Sequence, residues 1–284
     1  MIKRKIQTVL KHLVCVILSL AVLLPFYMVL INSFKSKSEA ARLNLALPTE
    51  WHFENYIEVI EKAKLLQGFS NSMIYALVAT GLGVVLCSMA AFVLCRNRTK
   101  LNVFLYYFIL CGLFFPISYV TLVKVLSALH LNDTRIGIIL VFTSGMISFC
   151  VFTIRNFVIS IPIELDEAAI IDGAGPVSLF FKVIFPLLKP TLFTCFILQF
   201  MAVWSDFLTP LYLSSKSKLF PMTMAIYQFF GKSGSYWNYI FADIVLTCIP
   251  VIIVYIVGQK YIVSGMTSGA VKEQKGQRYD AYKR

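Results

Sequence analysis

Long apolar runs alternate with short polar segments along the whole chain, and this pattern predicts a bundle of membrane-spanning helices. Each of six runs is long enough to cross about 30 Å of hydrocarbon at about 1.5 Å per helical residue. The predicted spans are residues 12–34, 71–95, 102–125, 136–158, 190–213 and 239–262. The expected fold class is an all-α membrane protein with six transmembrane helices, forming a single domain over residues 1–284.

Composition supports a membrane protein and excludes several other classes. The chain is 58% hydrophobic and 14% charged, with a mean hydropathy of +0.78, whereas soluble domains carry about a quarter charged residues. The net charge of +12 does not indicate a nucleic-acid partner, because that would require a basic face on a soluble fold. The lipid bilayer is therefore the expected surrounding of this chain.

The distribution of basic residues predicts the orientation of the spans. With the N-terminus inside, 16 of the 26 Lys and Arg residues fall in the inner segments, and such residues accumulate in loops that stay cytoplasmic. Because the number of spans is even, both termini are predicted to be cytoplasmic. The R-N-R-T-K turn after the second span is the strongest single indication of this orientation.

Motifs for catalysis and metal binding are missing from the sequence. The seven cysteines form no C-x-x-C pair, and the three histidines show no metal-ligand spacing. The chain also has no H-E-x-x-H, G-x-S-x-G or G-x-x-x-x-G-K-[ST] motif. No enzymatic activity, cofactor or metal is therefore expected in this chain.

The segment between the fourth and fifth spans, residues 160–190, differs from the rest of the chain and is called here the acidic hairpin. Pro162 fits the first turn of a helix, Gly173 a helix stop, and Pro176 the start of a second short helix. The hairpin also holds four of the 14 acidic residues, Glu164, Asp166, Glu167 and Asp172. The sequence therefore predicts a rigid helix–turn–helix.

Two interpretations of the acidic hairpin remain open from the residues alone. Leu165, Ala168 and Ala169 form one apolar face whose small side chains allow close approach to a groove. An amphipathic loop lying in the lipid headgroups is the alternative. Interfacial helices favour Lys and Arg on the polar face, so the carboxylates favour a basic groove on a partner protein.

The hairpin sequence EAAIIDGAG followed by FKVIFPLLKP resembles the EAA signature of permease subunits of bacterial ABC importers. Its D-G-A form is similar to the carbohydrate-uptake subfamily and its maltose-type second permease. The resemblance extends to PTEWHFENY, to the second span ending in Arg96, to WSDFLTPLYL and to YIVSGMTSGAVK. Ser205 departs from the pattern, since many members carry Asn there.

The resemblance implies a type I ABC importer permease fold in a bacterial cell membrane, with the hairpin as a coupling helix. It implies three kinds of partner: ATP-hydrolysing subunits, a second homologous permease and an extracellular solute-binding protein. Glu167 would pair with a basic residue of the ATPase, Ala168 and Ala169 would allow close approach, and Gly173 would set the turn. Asp172 belongs to the same docking set.

The candidate substrate path is predicted in the fifth span, at Gln199, Trp204 and Asp206. Gln199 and Asp206 are seven residues apart and would share a face of a continuous helix. Intramembrane polar groups usually face an interior or a partner, but Asp206 is more often explained as a cap or bridge between helices. Asp243 lies near the outer start of the sixth span.

Other functions remain as alternatives. A secondary transporter coupled to protons or sodium could use Asp206, although such folds commonly show repeated halves and broken helices that the sequence does not reveal. Within the permease class, an amino-acid or phosphate permease is the alternative to a sugar permease, which the D-G-A form and the C-terminal motif favour.

Overall fold

The computed structural model describes residues 2–231 and 234–282, and all the regular structure in these ranges is helical. The helices are α1 (Ile2–Asn32), α2 (Lys37–Ala40), α3 (Glu54–Lys62), α4 (Leu65–Arg96), α5 (Lys100–Cys111), α6 (Tyr119–Ala128), α7 (Arg135–Gly145), α8 (Ile147–Ile159), α9 (Glu164–Ile171), α10 (Pro176–Leu187, with π geometry over Leu179–Ile184), α11 (Lys189–Ser205), α12 (Leu208–Leu213) and α13 (Trp237–Tyr282), with 3-10 turns at Ser217–Leu219 and Met222–Phe229.

Three of the predicted spans are continuous helices. Apolar stretches at Leu10–Asn32, Leu65–Arg96 and Trp237–Tyr261 are 23, 32 and 25 residues long. At about 1.5 Å per residue, each is longer than the roughly 30 Å of a hydrocarbon core. The predictions for the first, second and sixth spans are confirmed.

The fourth span is present but bent. Helices α7 and α8 meet at Met146 with an angle of 45°. Met146 is 2% exposed, and a Cβ atom at Gly83 would clash with its sulfur. The second and fourth spans are therefore in close contact at this bend, and glycine allows such close contacts between membrane helices.

The third span is not the continuous helix predicted over residues 102–125. Helix α5 ends at Cys111 and α6 begins at Tyr119, so residues 112–118 interrupt the span. Pro116 lies in this interruption. Because proline has no N–H and disfavours helical conformation at the preceding residue, it accounts for the break.

The fifth span also ends earlier than predicted. Helix α11 stops at Ser205, and Asp206 has extended backbone angles, φ −72° and ψ 124°. The remainder of the predicted span, up to residue 213, contains the separate short helix α12. The prediction of one helix over residues 190–213 is therefore wrong in its last eight residues.

The helices divide into two compact units. One contains residues up to 69 together with 222–250, and the other contains residues 70–221 and the chain from 251 onward. The single domain expected over residues 1–284 stays a prediction.

Within the first unit, a polar network surrounds Lys35. This side chain is buried, and its ammonium donates to Asn32 Oδ1 at 3.0 Å and to Asn44 Oδ1 at 2.6 Å. Asn55 donates from Nδ2 to the carbonyl oxygens of Ser33 and Lys35 at 2.9 and 3.0 Å. Burial lowers the pKa of Lys35. These hydrogen bonds fix the backbone of the segment that follows α1.

The short helix α3 lies between the first and second spans. Phe34 contacts Trp51, Phe53 and Tyr56, with ring centroids 5.1 to 5.4 Å apart. Trp51 and Phe53 are also exposed. Exposed aromatic rings at the end of a span are typical of the membrane–water interface.

Candidate functional site

The acidic hairpin has the helix–turn–helix form that its sequence predicts. Its first helix, α9, begins two residues after Pro162, so the proline precedes the first turn and does not lie within it. Carboxylates fill that first turn, at Glu164, Asp166 and Glu167. They lie near the positive end of the helix dipole, which favours negative charge there.

Gly173 closes the first helix of the hairpin. Its φ of +82° lies in the left-handed region, which glycine adopts without the strain that a side chain would add. The next amide, that of Ala174, donates to the carbonyl of Ala169 at 2.9 Å. This turn directs the chain into α10 at Pro176.

The second helix of the hairpin is packed against other helices of the same unit. Phe180 is 4% exposed and contacts Phe92 of α4, with ring centroids 5.6 Å apart. Ile184 and Leu188 are fully buried. The hairpin is therefore held by a packed base, while its first helix and its turn project outward.

The projecting face combines carboxylates with apolar side chains. Glu167, Ala168, Asp172 and Gly173 are exposed and Ala169 is half-buried. Beside them, apolar side chains are strongly exposed: Ile170 at 58%, Ile171 at 85% and Val177 at 71%. A contiguous exposed apolar patch that is flanked by charges marks an interaction surface.

Asp166 does not belong to that face. Its carboxylate accepts from Arg96 Nε at 2.7 Å and from Arg96 Nη2 at 3.1 Å. Asp166 is 6% exposed. The expectation that all four hairpin carboxylates meet a partner groove is wrong for Asp166, because an arginine of this chain already neutralises it.

The predicted substrate-path residues are not brought together on one helix face. Asp206 lies beyond the end of α11, so its seven-residue spacing from Gln199 does not align the two side chains. The Asp206 carboxylate accepts from Thr209 N at 3.0 Å and from Thr209 Oγ1 at 2.6 Å, which makes it the cap of α12. Trp204 is 1% exposed and stacks on Phe200 at 5.9 Å.

Two other features of the spans were not predicted from the sequence. Tyr119 and Tyr212 stack with ring centroids 4.7 Å apart, and Tyr212 is half exposed. Arg96 was noted only as the end of a span, although its place as the first residue of the R-N-R-T-K turn could have indicated a partner for a hairpin carboxylate. Asp243, noted from the sequence, is 2% exposed, and its Oδ1 has no hydrogen-bond partner within the described ranges.

Metal binding has no support in this part of the chain. Among residues 2–231 and 234–282, no group of three His, Cys, Asp or Glu side chains is arranged to hold a metal ion.

A helical bundle with several apolar spans is a multi-pass membrane protein. The chain belongs to the family of binding-protein-dependent transport system inner membrane components, whose profile matches residues 83–268. This membership confirms the resemblance that the EAA signature indicates.

Curated relatives match nearly the whole chain. The diacetylchitobiose uptake system permease NgcG of Streptomyces coelicolor is 34% identical, over 92% of this chain and 88% of the relative. The probable starch degradation products permease AmyC of Thermoanaerobacterium thermosulfurigenes is 31% identical, over 95% and 99%. The melibiose/raffinose/stachyose import permease MelC of Bacillus subtilis is 32% identical, over 92% and 95%.

Solved structures show the same fold. A chain of a bacterial ABC transporter involved in alginate import aligns with a TM-score of 0.81 and 23% identity, covering 90% of this chain and 96% of that chain. A chain of the MetNI methionine transporter aligns with a TM-score of 0.54 and 19% identity, covering 71% and 95%. The predicted all-α importer permease fold is confirmed.

Proposed function

We propose that this chain is a permease subunit of an ATP-driven importer and that its solute is a sugar or an oligosaccharide. Three relatives at 31–34% identity are named for diacetylchitobiose, for starch degradation products and for melibiose, raffinose and stachyose. These solutes share the chemistry of oligosaccharides. Amino acids, phosphate and ion-coupled transport are the alternatives.

The observation that carries the proposal is the projecting face of the acidic hairpin. Within the described ranges, Glu167 and Asp172 make no side-chain hydrogen bond or ion pair, and Ile171 is 85% exposed. A carboxylate beside a large apolar side chain matches a partner cleft with a basic residue and an apolar floor. We assign that cleft to an ATP-hydrolysing subunit.

Each docking residue has a role that follows from its position. Glu167 pairs with a basic side chain of the ATPase, and Asp172 extends the negative surface. Ala168 and Ala169 have small side chains, so the backbone of α9 can lie close to the cleft. Gly173 holds the turn. When ATP draws two hydrolysing subunits together, the docked hairpin moves with them and the spans change from inward-open to outward-open.

The remaining partners follow from the same assignment. This chain pairs with a second, homologous permease, and an extracellular binding protein delivers the solute. The chain itself hydrolyses nothing. Both termini face the cytoplasm of a bacterial cell, which places the acidic hairpin on the ATP side of the membrane.

The substrate path is proposed near the interruption of the fifth span. Gln199 is half-buried on α11 and supplies an amide that can bond sugar hydroxyls. Trp204 and Asp206 shape the path indirectly, because Trp204 packs against Phe200 and Asp206 caps α12. The commitment of Asp206 to Thr209 disfavours a role for this carboxylate in ion coupling.

Reconstitution of the whole transporter tests this function. The tagged chain would be purified from its native membrane with its partners and placed in proteoliposomes. Radiolabelled diacetylchitobiose, melibiose, raffinose, methionine and phosphate would then be offered with and without ATP. ATP-dependent uptake of a sugar is the expected result. Uptake of methionine or phosphate alone, or uptake driven by an ion gradient without ATP, would contradict the proposal.

A further inference from the structure

One arginine connects three separate segments at the base of the acidic hairpin. Arg96 is the last residue of α4, and it holds the carboxylate of Asp166 with two hydrogen bonds. Its Nη2 also donates to the carbonyl oxygen of Ile161 at 3.1 Å. The second span, the chain that leaves α8 and the helix α9 therefore meet at one guanidinium.

This ion pair is shielded from solvent and has a fixed geometry. The side chains of Arg96 and Asp166 are 17% and 8% exposed. A planar guanidinium that bonds both oxygens of one carboxylate fixes orientation as well as distance. Well-packed apolar residues in place of a shielded ion pair are often equally stable. A gain in folding stability therefore explains this ion pair poorly. Fixing the position of α9 relative to α4 explains it better.

The elements on either side of the pair can carry a displacement. Helix α4 is 32 residues long without an interruption, so it can carry a shift at Arg96 along its length. Along its length α4 contacts the bend of the fourth span, where Gly83 adjoins Met146. Interruptions divide the third and fifth spans, which makes those spans poorer transmitters.

We infer that Arg96 and Asp166 are a positioning pair that transmits movement of the coupling helix α9 to the second span. The inference rests on the proposed docking of the acidic hairpin to an ATPase. In this arrangement Glu167 holds the partner on the outer side of α9, and Asp166 holds α4 on the inner side. Of these two neighbouring carboxylates, Glu167 thus serves docking and Asp166 serves transmission.

The test uses the complete transporter in lipid nanodiscs and measures backbone hydrogen–deuterium exchange in residues 65–75, at the far end of α4. Exchange is compared without nucleotide and after trapping with ATP and vanadate. The variants are Arg96→Gln, Asp166→Asn and both together, and the matched control is Arg98→Gln, an exposed arginine of the same turn. ATPase co-purification and hydrolysis rate are measured for each.

The parental complex should show an ATP-dependent change in exchange in residues 65–75. Each single variant should keep its ATPase subunits yet lose this change by about fivefold or more, the lower range of allosteric coupling. The double variant should resemble either single variant, because both changes break one link. Arg98→Gln should stay within about twofold of the parent, as is usual for exposed charges.

Four results would overturn the inference. These are a parental complex without the change in residues 65–75, single variants that keep it, a double variant whose loss is the product of the two single losses, or single variants that release the ATPase. Glu167→Lys in parallel tests docking separately. If Glu167→Lys retains the ATPase, the proposed docking fails, whatever the exchange of the Arg96 variants.

Discussion

The first loop, residues 33–64, and the acidic hairpin, residues 160–190, each carry a short helix with several carboxylates, but they use these groups differently. In the first loop, Glu58 accepts from Lys62 and from Tyr239 Oη, the latter at 2.6 Å. Hydrogen bonds from Lys62 and Tyr239 lower the pKa of Glu58. In the hairpin, Asp166 is the one carboxylate with an ion pair to a residue in the ranges 2–231 and 234–282.

The difference is between a helix that is tied into its own unit and a helix that we propose docks to a partner. Helix α3 is tied into its own unit through Asn55, which is bonded to Ser33, Lys35 and Asn238. The hairpin leaves Glu167 exposed next to Ile171. Acidic composition and helical pattern are therefore insufficient to identify a docking surface.

Charge reversal should have the largest effect, and only in the hairpin. We expect Glu167→Lys to reduce ATP-driven uptake by about tenfold or more, because removing one partner of an interfacial charge pair costs several kcal/mol. The chain should still reach the membrane. Uptake in proteoliposomes and ATPase co-purification are the measurements. Glu61→Lys, an exposed glutamate of α3, is the control and should transport normally. An equal loss of uptake in Glu167→Lys and Glu61→Lys would contradict the distinction between the hairpin and the first loop.

Loss of the polar network should affect stability in the first unit. Asn55 is 4% exposed, and Asn55→Leu leaves the carbonyl oxygens of Ser33 and Lys35 without their amide donor. We expect a loss of about 2–3 kcal/mol in unfolding free energy, since unsatisfied buried polar groups cost about 1–3 kcal/mol each. Thermal unfolding of the detergent-solubilised complex measures it. Glu61→Gln should leave the midpoint unchanged, and an unchanged midpoint for Asn55→Leu would contradict the network.

A smaller effect is expected at the turn of the hairpin. Gly173→Ala places a side chain in the left-handed region, which costs about 1–2 kcal/mol, although a Cβ there would meet no atom within 4 Å. Gly175→Ala is the matched control, because Gly175 has a φ of −69° and also has open space. We expect Gly173→Ala to weaken ATPase binding and Gly175→Ala to leave it unchanged. Equal ATPase affinity in both variants would show that the turn geometry does not matter.

The smallest effect concerns pH and the loop at Asp133. Ser215 donates to its carboxylate from the backbone N at 2.5 Å and from Oγ at 2.8 Å, and these bonds lower the pKa of Asp133. A lowered folded-state pKa stabilises the fold above the unfolded value of about 3.9, and this stabilisation is lost as pH falls through the folded pKa.

We therefore expect Asp133→Asn to lower stability at pH 7 by less than about 1 kcal/mol, because exposed pairs are well solvated. The difference from the parent should shrink as pH approaches 3. Unfolding midpoints from pH 7 to pH 3 measure it, and a constant difference across this range would exclude the carboxylate as its source. The matched variant Ser215→Ala, which keeps the backbone donor, should give a smaller loss.

The sequence determined the features that depend on local chemistry. Apolar runs long enough for hydrocarbon predicted the spans, and three of them are continuous helices. Gly173 was predicted as the stop of the hairpin helix because glycine adopts the left-handed conformation most easily, and its φ of +82° agrees. The EAA signature indicated the family, since a docking surface is encoded in one contiguous segment.

Local signals did not determine where the helices break. Pro116 lies in the interruption of the third span, but Pro25 and Pro250 lie inside α1 and α13 without ending them. Whether a proline ends a helix depends on how the freed backbone groups are satisfied by neighbouring segments. Asp206 is a second example. Its seven-residue spacing from Gln199 suggested a shared helix face, but its carboxylate accepts from Thr209 N and Asp206 lies beyond the end of α11.

Only the tertiary structure decided which carboxylate of the hairpin faces inward. Asp166 and Glu167 are adjacent and chemically alike, and no property of the segment itself separates them. The distinction comes from Arg96, 70 residues earlier in the chain, which the fold brings to 2.7 Å from Asp166. A hydrogen bond acts only at contact distance, so the role of each carboxylate was fixed when the second span packed against the hairpin.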